Sequence, residues 1–120
     1  MRHLRYAAGL ITAAWFMRRG YAVSIPAEPS PYDLIVEAAG RLYRVQVKTA
    51  AMRDPKSGQF IGRVSRIPLR DGKKLSCDPD EIDFMAIVDG DGVLYIGPIA
   101  EVFGPHNITV STVAHRKVAL

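Results

Sequence analysis

The 120-residue chain contains a single cysteine, Cys77. One thiol can neither close an intrachain disulfide nor build a cysteine-rich zinc site, so a reducing, cytoplasmic (intracellular) setting is expected. Cys77 sits in a polar loop with no sequence-adjacent histidine, and a nucleophilic role is not expected of it. The three histidines, His3, His106 and His115, share no metal-ligand spacing and read as surface residues. There is no glycine-rich phosphate loop, so nucleotide hydrolysis of that kind is unsupported. Repeats, low-complexity tracts and long linkers are absent as well. The opening stretch "MRHLRYAAGLITAAWFMRRG" turns apolar only briefly before Arg18 and Arg19. It is too short to span a membrane and is followed by no convincing cleavage site, so it reads as an amphipathic helix inside the domain rather than a signal peptide. No membrane partner is expected. That helix also holds no acidic residue.

What is present suits one folded domain. Hydrophobic residues make up 48% of the chain, which argues for a packed core, and the net charge of +4 is compatible with a polyanionic partner. The length fits a single domain over residues 1–120, with a core over about 4–103 and a C-terminal strand and tail over 104–120.

Leu4, Ala8, Ile11 and Trp15 recur at helical spacing, and Arg18, Arg19 and Gly20 form a suitable helix end, which predicts a helix over Leu4–Arg19. "YAVSI" reads as a short strand and "PAEPSP" as a loop. "YDLIVEA" and "RLYRVQVKTA" read as two strands of a hairpin turning at Ala39-Gly40. "QFIGRVSRIPL" reads as one strand. "IDFMAIVD" and "GVLYIG" read as a second hairpin across Gly90-Asp91, and "DGDG" is its turn rather than a calcium loop, which would need a following glutamate and flanking helices. Pro98 can open a short helix through "IAEVFG", and "NITVSTV" reads as a strand. A helix, a run of strands and a short helix predict a mixed α/β or α+β domain with helices against a central sheet. Trp15, Phe16 and Phe84 read as core or interface residues.

In "RLYRVQVKTA" the side chains alternate, with Tyr43, Val45 and Val47 on one face and Arg44, Gln46 and Lys48 on the other. A hairpin brings Asp33 beside Gln46 and Lys48. A carboxylate and an amide oxygen are hard ligands that suit Mg²⁺, and a nearby lysine suits a phosphate and an attacking water. The same pattern also describes an ordinary hairpin with one polar face.

"SPYDLIV" followed by "RVQVKTA" resembles the active-site core of the PD-(D/E)XK nuclease superfamily. More closely, it is similar to the branch with glutamine at the second acid position, which includes a group I intron homing endonuclease. Archaeal-type Holliday-junction resolvases are more distant relatives. "RRGYAVSIP" and "IDFMAIVDGDGVLYIGPIAEV" support the resemblance, which spans most of Arg18 to Val102. It implies a restriction-endonuclease-like α/β core, a central mixed β-sheet flanked by helices. It also implies that Asp33 and Gln46 are metal ligands, that the Val47 carbonyl is a backbone ligand, that Lys48 is the catalytic lysine and that Thr49 touches a phosphate. Many relatives carry a glutamate in the first helix. Here Gly9, or a neighbour such as Tyr6, stands where that acid is expected. Glu28 and Glu37 are the substitutes in reach of sequence reasoning, although Glu37 would lie roughly 13 Å along the strand from Asp33.

Arg63, Arg66, Arg70, Lys73 and Lys74 cluster in "GRVSRIPLRDGKK" and read as a phosphate-tracking surface, with Arg41 and Arg44 adding to it. The expected activity is Mg²⁺- (or Mn²⁺-) dependent hydrolysis of DNA phosphodiesters, of a homing or junction-resolving type. The alternative is a nuclease-fold module, weak or inactive in catalysis, that binds DNA or a protein. A chain with one active site cuts two strands at defined positions only as a symmetric assembly, so a homodimer or homotetramer is expected, with the apolar tail and the first helix as candidate interfaces.

Overall fold

The computed structural model describes residues 2–63, 67–68, 74–75, 80–102, 107–109 and 117–118. Helix α1 spans Arg2–Arg18. Its apolar stripe packs Ala8, Ala13 and Phe16 against the sheet, with Leu4, Ile11 and Trp15 at the margins. Buried Thr12 is satisfied within the helix, its hydroxyl donating to the Ala8 carbonyl at 2.8 Å. Gly20, at φ +88°, ends the helix in the left-handed region that glycine favours, and its N–H donates to the Met17 carbonyl. Arg19 lies over the Trp15 ring, 3.9 Å from its centroid.

The strands are β1 (Ala22–Ser24), β2 (Leu34–Ala38), β3 (Arg41–Ala50), β4 (Met52–Arg53), β5 (Phe60–Arg63), β6 (Ile67–Pro68), β7 (Lys74–Leu75), β8 (Phe84–Asp89), β9 (Leu94–Pro98), β10 (Asn107–Thr109) and β11 (Lys117–Val118). A single helical turn, α2 (Ile99–Val102), follows β9. The main sheet runs β1-β2-β3-β8-β9-β11. It is mixed, because β3 and β8 pair in parallel while its other neighbours are antiparallel. This is the predicted central mixed sheet. The expected strand Gln59–Leu69 is present as β5 and β6, and residues 64–66 lie outside the described set.

Side-chain alternation gives the sheet two apolar faces. On one face, Leu34, Val36, Val45, Ala86, Val88 and Leu94 meet α1. On the other, Met85, Ile87 and Tyr95 pack with Ala50, Ile82 and Ile99, the last from α2. Central β8 is covered on both sides, which explains why "FMAIVD" is apolar without alternation. Asp89 closes the β8–β9 turn, accepting from the N–H groups of Asp91 and Val93 and from the Tyr95 hydroxyl. Burial and that carboxylate push the Tyr95 phenol up to about 12. Among the described residues, no helix is long and apolar enough to cross a membrane.

The β2–β3 turn places Ala39 and Gly40 both at positive φ, 53° and 76°, as a two-residue turn of the I′ kind requires. It fixes the register Leu34↔Val45 through Ala38↔Arg41, and this register positions the site.

Candidate active site

Paired β2 begins at Leu34, opposite Val45, so β3 runs beyond it from Gln46 to Ala50. Asp33 sits at this exit and is held to β3 twice. Its N–H donates to the Val45 carbonyl at 2.9 Å, and its Oδ2 accepts the Val47 N–H at 2.7 Å. The carboxylate therefore satisfies a backbone donor of the strand that carries Gln46 and Lys48.

Past this point α1, the proline loop and β4 stand away from the strand and leave a cleft of about 840 Å³. One wall is Asp33, Gln46, Val47, Lys48 and Thr49, and the helix contributes Tyr6, Gly9 and Leu10. Glu28 enters from the proline loop, while Ile25 and Met52 form an apolar rim. Five residues singled out from the sequence, Asp33, Gln46, Val47, Lys48 and Thr49, thus line one cavity. Tyr6 and Gly9 do face it, where a helix acid was expected, and neither supplies a carboxylate. A Cβ built on Gly9 meets nothing within 4 Å, so the position has room for a side chain.

The Asp33 carboxyl is half-buried, and desolvation raises its pKa above the ordinary value. The Val47 hydrogen bond and the positive charge of Lys48 oppose this rise, and the negative charge of Glu28 adds to it. Arg44 is ion-paired with Asp83 at 3.1 Å, whereas Lys48 and Asp33 form no ion pair within 4 Å. A desolvated carboxylate beside a lysine is poised to gain from a cation. Asp33, Gln46 and Val47 line the cleft together, and a carboxylate, an amide oxygen and a backbone carbonyl are the kinds of hard-oxygen donor that an ion of the Mg²⁺ kind takes alongside several waters. Among the described residues no group of three or more His, Cys, Asp and Glu side chains could hold a metal, so water and substrate oxygens would complete the shell.

The other predicted residues are placed elsewhere. Arg44 shares a β3 face with Gln46 and Lys48, but its guanidinium is committed within the chain. Nε and Nη2 donate to the Asp83 carboxylate at 3.1 and 3.3 Å, and Nη1 donates to the Asp80 carbonyl at 2.9 Å. Arg41 lies over the Tyr43 ring. Glu37 pairs with Leu42 across the hairpin and does not line the cleft. Arg63 and Lys74 lie in β5 and β7, and their side chains are outside the described set. Arg66, Arg70, Lys73, Cys77, His106 and His115 lie wholly outside it. His3 is an exposed residue of α1. Trp15, Phe16 and Phe84 belong to the core cluster under α1.

Sequence reasoning missed the apolar rim. Tyr6, Leu10, Ile25 and Met52 are 73%, 65%, 70% and 70% exposed, yet all line the cleft. The available signal was the pair Tyr6 and Leu10, four apart and off the buried stripe of α1.

A family model described as PD-(D/E)XK endonuclease matches residues 7–118. No curated protein matches the chain. Among solved structures, the bacterial homing endonuclease I-Ssp6803I superposes with a TM-score of 0.76 at 19% identity, covering 91% of this chain and 76% of that one. Hjc, a Holliday junction resolvase from the archaeal hyperthermophile Archaeoglobus fulgidus, superposes with a TM-score of 0.63 at 9% identity, covering 97% of this chain and 91% of that one. At these identities the two likenesses establish a shared fold, the restriction-endonuclease-like core.

Proposed function

The chain belongs to the PD-(D/E)XK endonuclease family, and from that premise we propose that it hydrolyses DNA phosphodiester bonds with the help of a divalent cation, Mg²⁺ or Mn²⁺. The observation that carries this reading is the convergence of Asp33, Gln46 and Lys48 on one wall of a single cleft. Membership of a nuclease family and the solved structures of a homing endonuclease and a junction resolvase with this fold support it.

In this reading Asp33 and Gln46 hold the cation through side-chain oxygens, with the Val47 carbonyl beside them. The cation, when bound, supplies Lewis-acid stabilisation of the charge that builds on the phosphoryl oxygens. The Asp33–Val47 hydrogen bond fixes the carboxylate before substrate arrives, so little reorganisation is left for the reaction. Lys48 places its ammonium against a phosphate oxygen and orients the attacking water. The water oxygen bonds to phosphorus as one P–O ester bond breaks; the water gives its proton to solvent or a nearby base, and the departing ester oxygen takes up a proton from solvent. Thr49, further along the same wall, contacts an adjacent phosphate. Arg63, Arg66, Arg70, Lys73 and Lys74 track the DNA backbone. The names of the two structural neighbours make homing-type sites and four-way junctions the first substrates to try. A symmetric dimer or tetramer would pair two clefts for double-strand cutting.

One observation favours a second reading. The helix gives the cleft Tyr6, Gly9 and Leu10 in place of an acid, so the fold could serve as a DNA-binding or protein-binding module with weak or no cleavage. The test is incubation with supercoiled plasmid, branched junctions and single strands, with Mg²⁺, Mn²⁺ or chelator, repeated with Asp33→Ala and Lys48→Ala. Metal-dependent cutting that both substitutions abolish is the expected result. Cutting unchanged in both variants, or no metal-dependent cutting of any substrate, would sink the nuclease reading. Binding without cutting would establish the second.

A further inference from the structure

Resting on the nuclease reading, we propose that Glu28 is the second carboxylate of the cleft and takes the role, towards the divalent cation and its waters, that α1 leaves unfilled.

Three observations converge on this residue. The first is an absence: α1, from Arg2 to Arg18, contains no Asp or Glu, and its residues at the cleft are Tyr6, Ala8, Gly9 and Leu10. The second is position. Glu28 lines the cleft that holds Asp33, Gln46 and Lys48, whereas Glu37, the other acid close in sequence, does not. The third is support. The Ser30 N–H donates to Glu28 Oε2 at 3.1 Å, the Ser30 hydroxyl donates to the Tyr32 carbonyl at 2.8 Å, and the Tyr32 N–H donates back to the Ser30 hydroxyl. A short chain of hydrogen bonds thus links Glu28 to the residue preceding Asp33. The single bond to Oε2 leaves most of the carboxylate's acceptor capacity for a cation or an ordered water.

The chemistry explains why a second acid matters. Asp33 with the neutral Gln46 offers a divalent cation one negative charge. Glu28, lining the same cleft, would make two.

The test reads cation binding directly, with Mn²⁺ alone as probe and the full chain. Calorimetry gives the affinity, and the Mn²⁺-induced rise in melting temperature gives a second measure. Glu28→Gln should weaken Mn²⁺ binding roughly 10-fold to 100-fold, the usual range when an outer carboxylate of a metal site is lost. Glu28→Asp should stay close to wild type, and Glu37→Gln should match it. Adding Gly9→Glu to Glu28→Gln should recover most of the lost affinity. Undiminished binding in Glu28→Gln, with binding lost in Asp33→Asn, would overturn the role of Glu28 and leave the nuclease reading intact. Equal losses in Glu28→Gln and Glu28→Asp, with lower metal-free melting, would also overturn it, because the residue would then act by shaping the loop. Undiminished binding in Asp33→Asn would remove the parent reading itself.

Discussion

Asp33 Oδ2 and the backbone N–H of Val47 are 2.7 Å apart, and this hydrogen bond joins the two halves of the candidate site. Val47 lies between Gln46 and Lys48, so the bond fixes the acid relative to both side chains. It also sets a conflict, because the carboxyl that the bond holds is half-buried and its pKa is raised, chiefly by desolvation. Folding therefore favours the protonated acid, while cation binding needs the carboxylate.

Asp33→Asn should separate these demands. The asparagine Oδ1 can still accept the Val47 N–H, and the buried charge is gone. A carboxyl whose folded pKa is raised contributes stability below its unfolded pKa, and that contribution is lost as pH rises through the folded value. The variant should therefore gain stability relative to wild type as pH rises above the ordinary carboxylate range. Urea denaturation from about pH 4 to about pH 8 would measure this. Asp33→Ala also removes the acceptor and should lose about 1 kcal/mol relative to Asp33→Asn. Both variants should lose metal-dependent cleavage, and wild-type cleavage should rise with pH through the raised Asp33 pKa. A stability difference between wild type and Asp33→Asn that does not shift toward the variant as pH rises through that range would contradict the desolvation argument.

Lys48→Ala should leave the fold intact and remove the ammonium from the cleft. Cleavage should fall about 100-fold to 10,000-fold, the range for a positioned acid–base or charge-stabilising group. DNA binding in chelator should change little by comparison, since one cation among many phosphate contacts is lost. The charge of Lys48 also lowers the Asp33 pKa. Its removal should move the pH profile of Mn²⁺ binding upward, and an unmoved profile would show that the two groups are not coupled.

Asp83→Ala tests a structural clamp. The Asp83 carboxylate accepts from the Arg44 backbone N–H at 2.8 Å and from its guanidinium, and the Asp83 N–H donates to the Arg44 carbonyl at 2.9 Å. The pair locks the start of parallel β8 to β3. Losing the acceptor of the Arg44 N–H should cost about 1–2 kcal/mol at neutral pH. The Arg44 guanidinium beside Asp83 lowers its pKa, so its contribution is present above the unfolded pKa and is lost as pH falls through the folded one. The gap between wild type and variant, followed by urea denaturation, should therefore close in acid. A gap that persists at the lowest pH would point to packing rather than charge.

Arg44 also shows where sequence reading stops. Alternation along β3 placed Arg44, Gln46 and Lys48 on one face, and the turn at Ala39-Gly40 placed Asp33 beside Gln46. Both are local, set by a period of two and a two-residue turn, so the sequence carries them. The partner of Arg44 is 39 residues away. Only the parallel pairing of β3 with β8 brings Asp83 to it, and an arginine on a polar strand face looks the same whether it meets a phosphate or an aspartate. Glu28 was legible as a candidate acid, but a proline-rich loop has no periodicity from which to read a direction, and only the fold brings it to the cleft while leaving Glu37 away from it. Helix α1 was legible as an apolar stripe, but Tyr6 and Leu10 on its other side take their meaning from the cleft that only the assembled sheet creates.

Ala39→Asn should stabilise the hairpin that carries the site. Ala39 lies at φ 53°, in the left-handed region, followed by Gly40 at φ 76°. An L-residue with a Cβ pays about 1–2 kcal/mol there, and asparagine tolerates the region better because its short amide can bond locally. Asn-Gly is also the preferred pair for a type I′ turn. The substitution should raise stability by roughly 0.5–1 kcal/mol, measured by urea denaturation. The turn holds the register Leu34↔Val45, and that register sets Asp33 against Gln46 and Lys48, so Mn²⁺ affinity and cleavage should remain at wild-type level. A variant more stable but weaker in Mn²⁺ binding would mean that the native turn holds the site in a geometry the relaxed hairpin does not keep. In that case the positive φ of Ala39 would belong to function rather than to an accident of sequence.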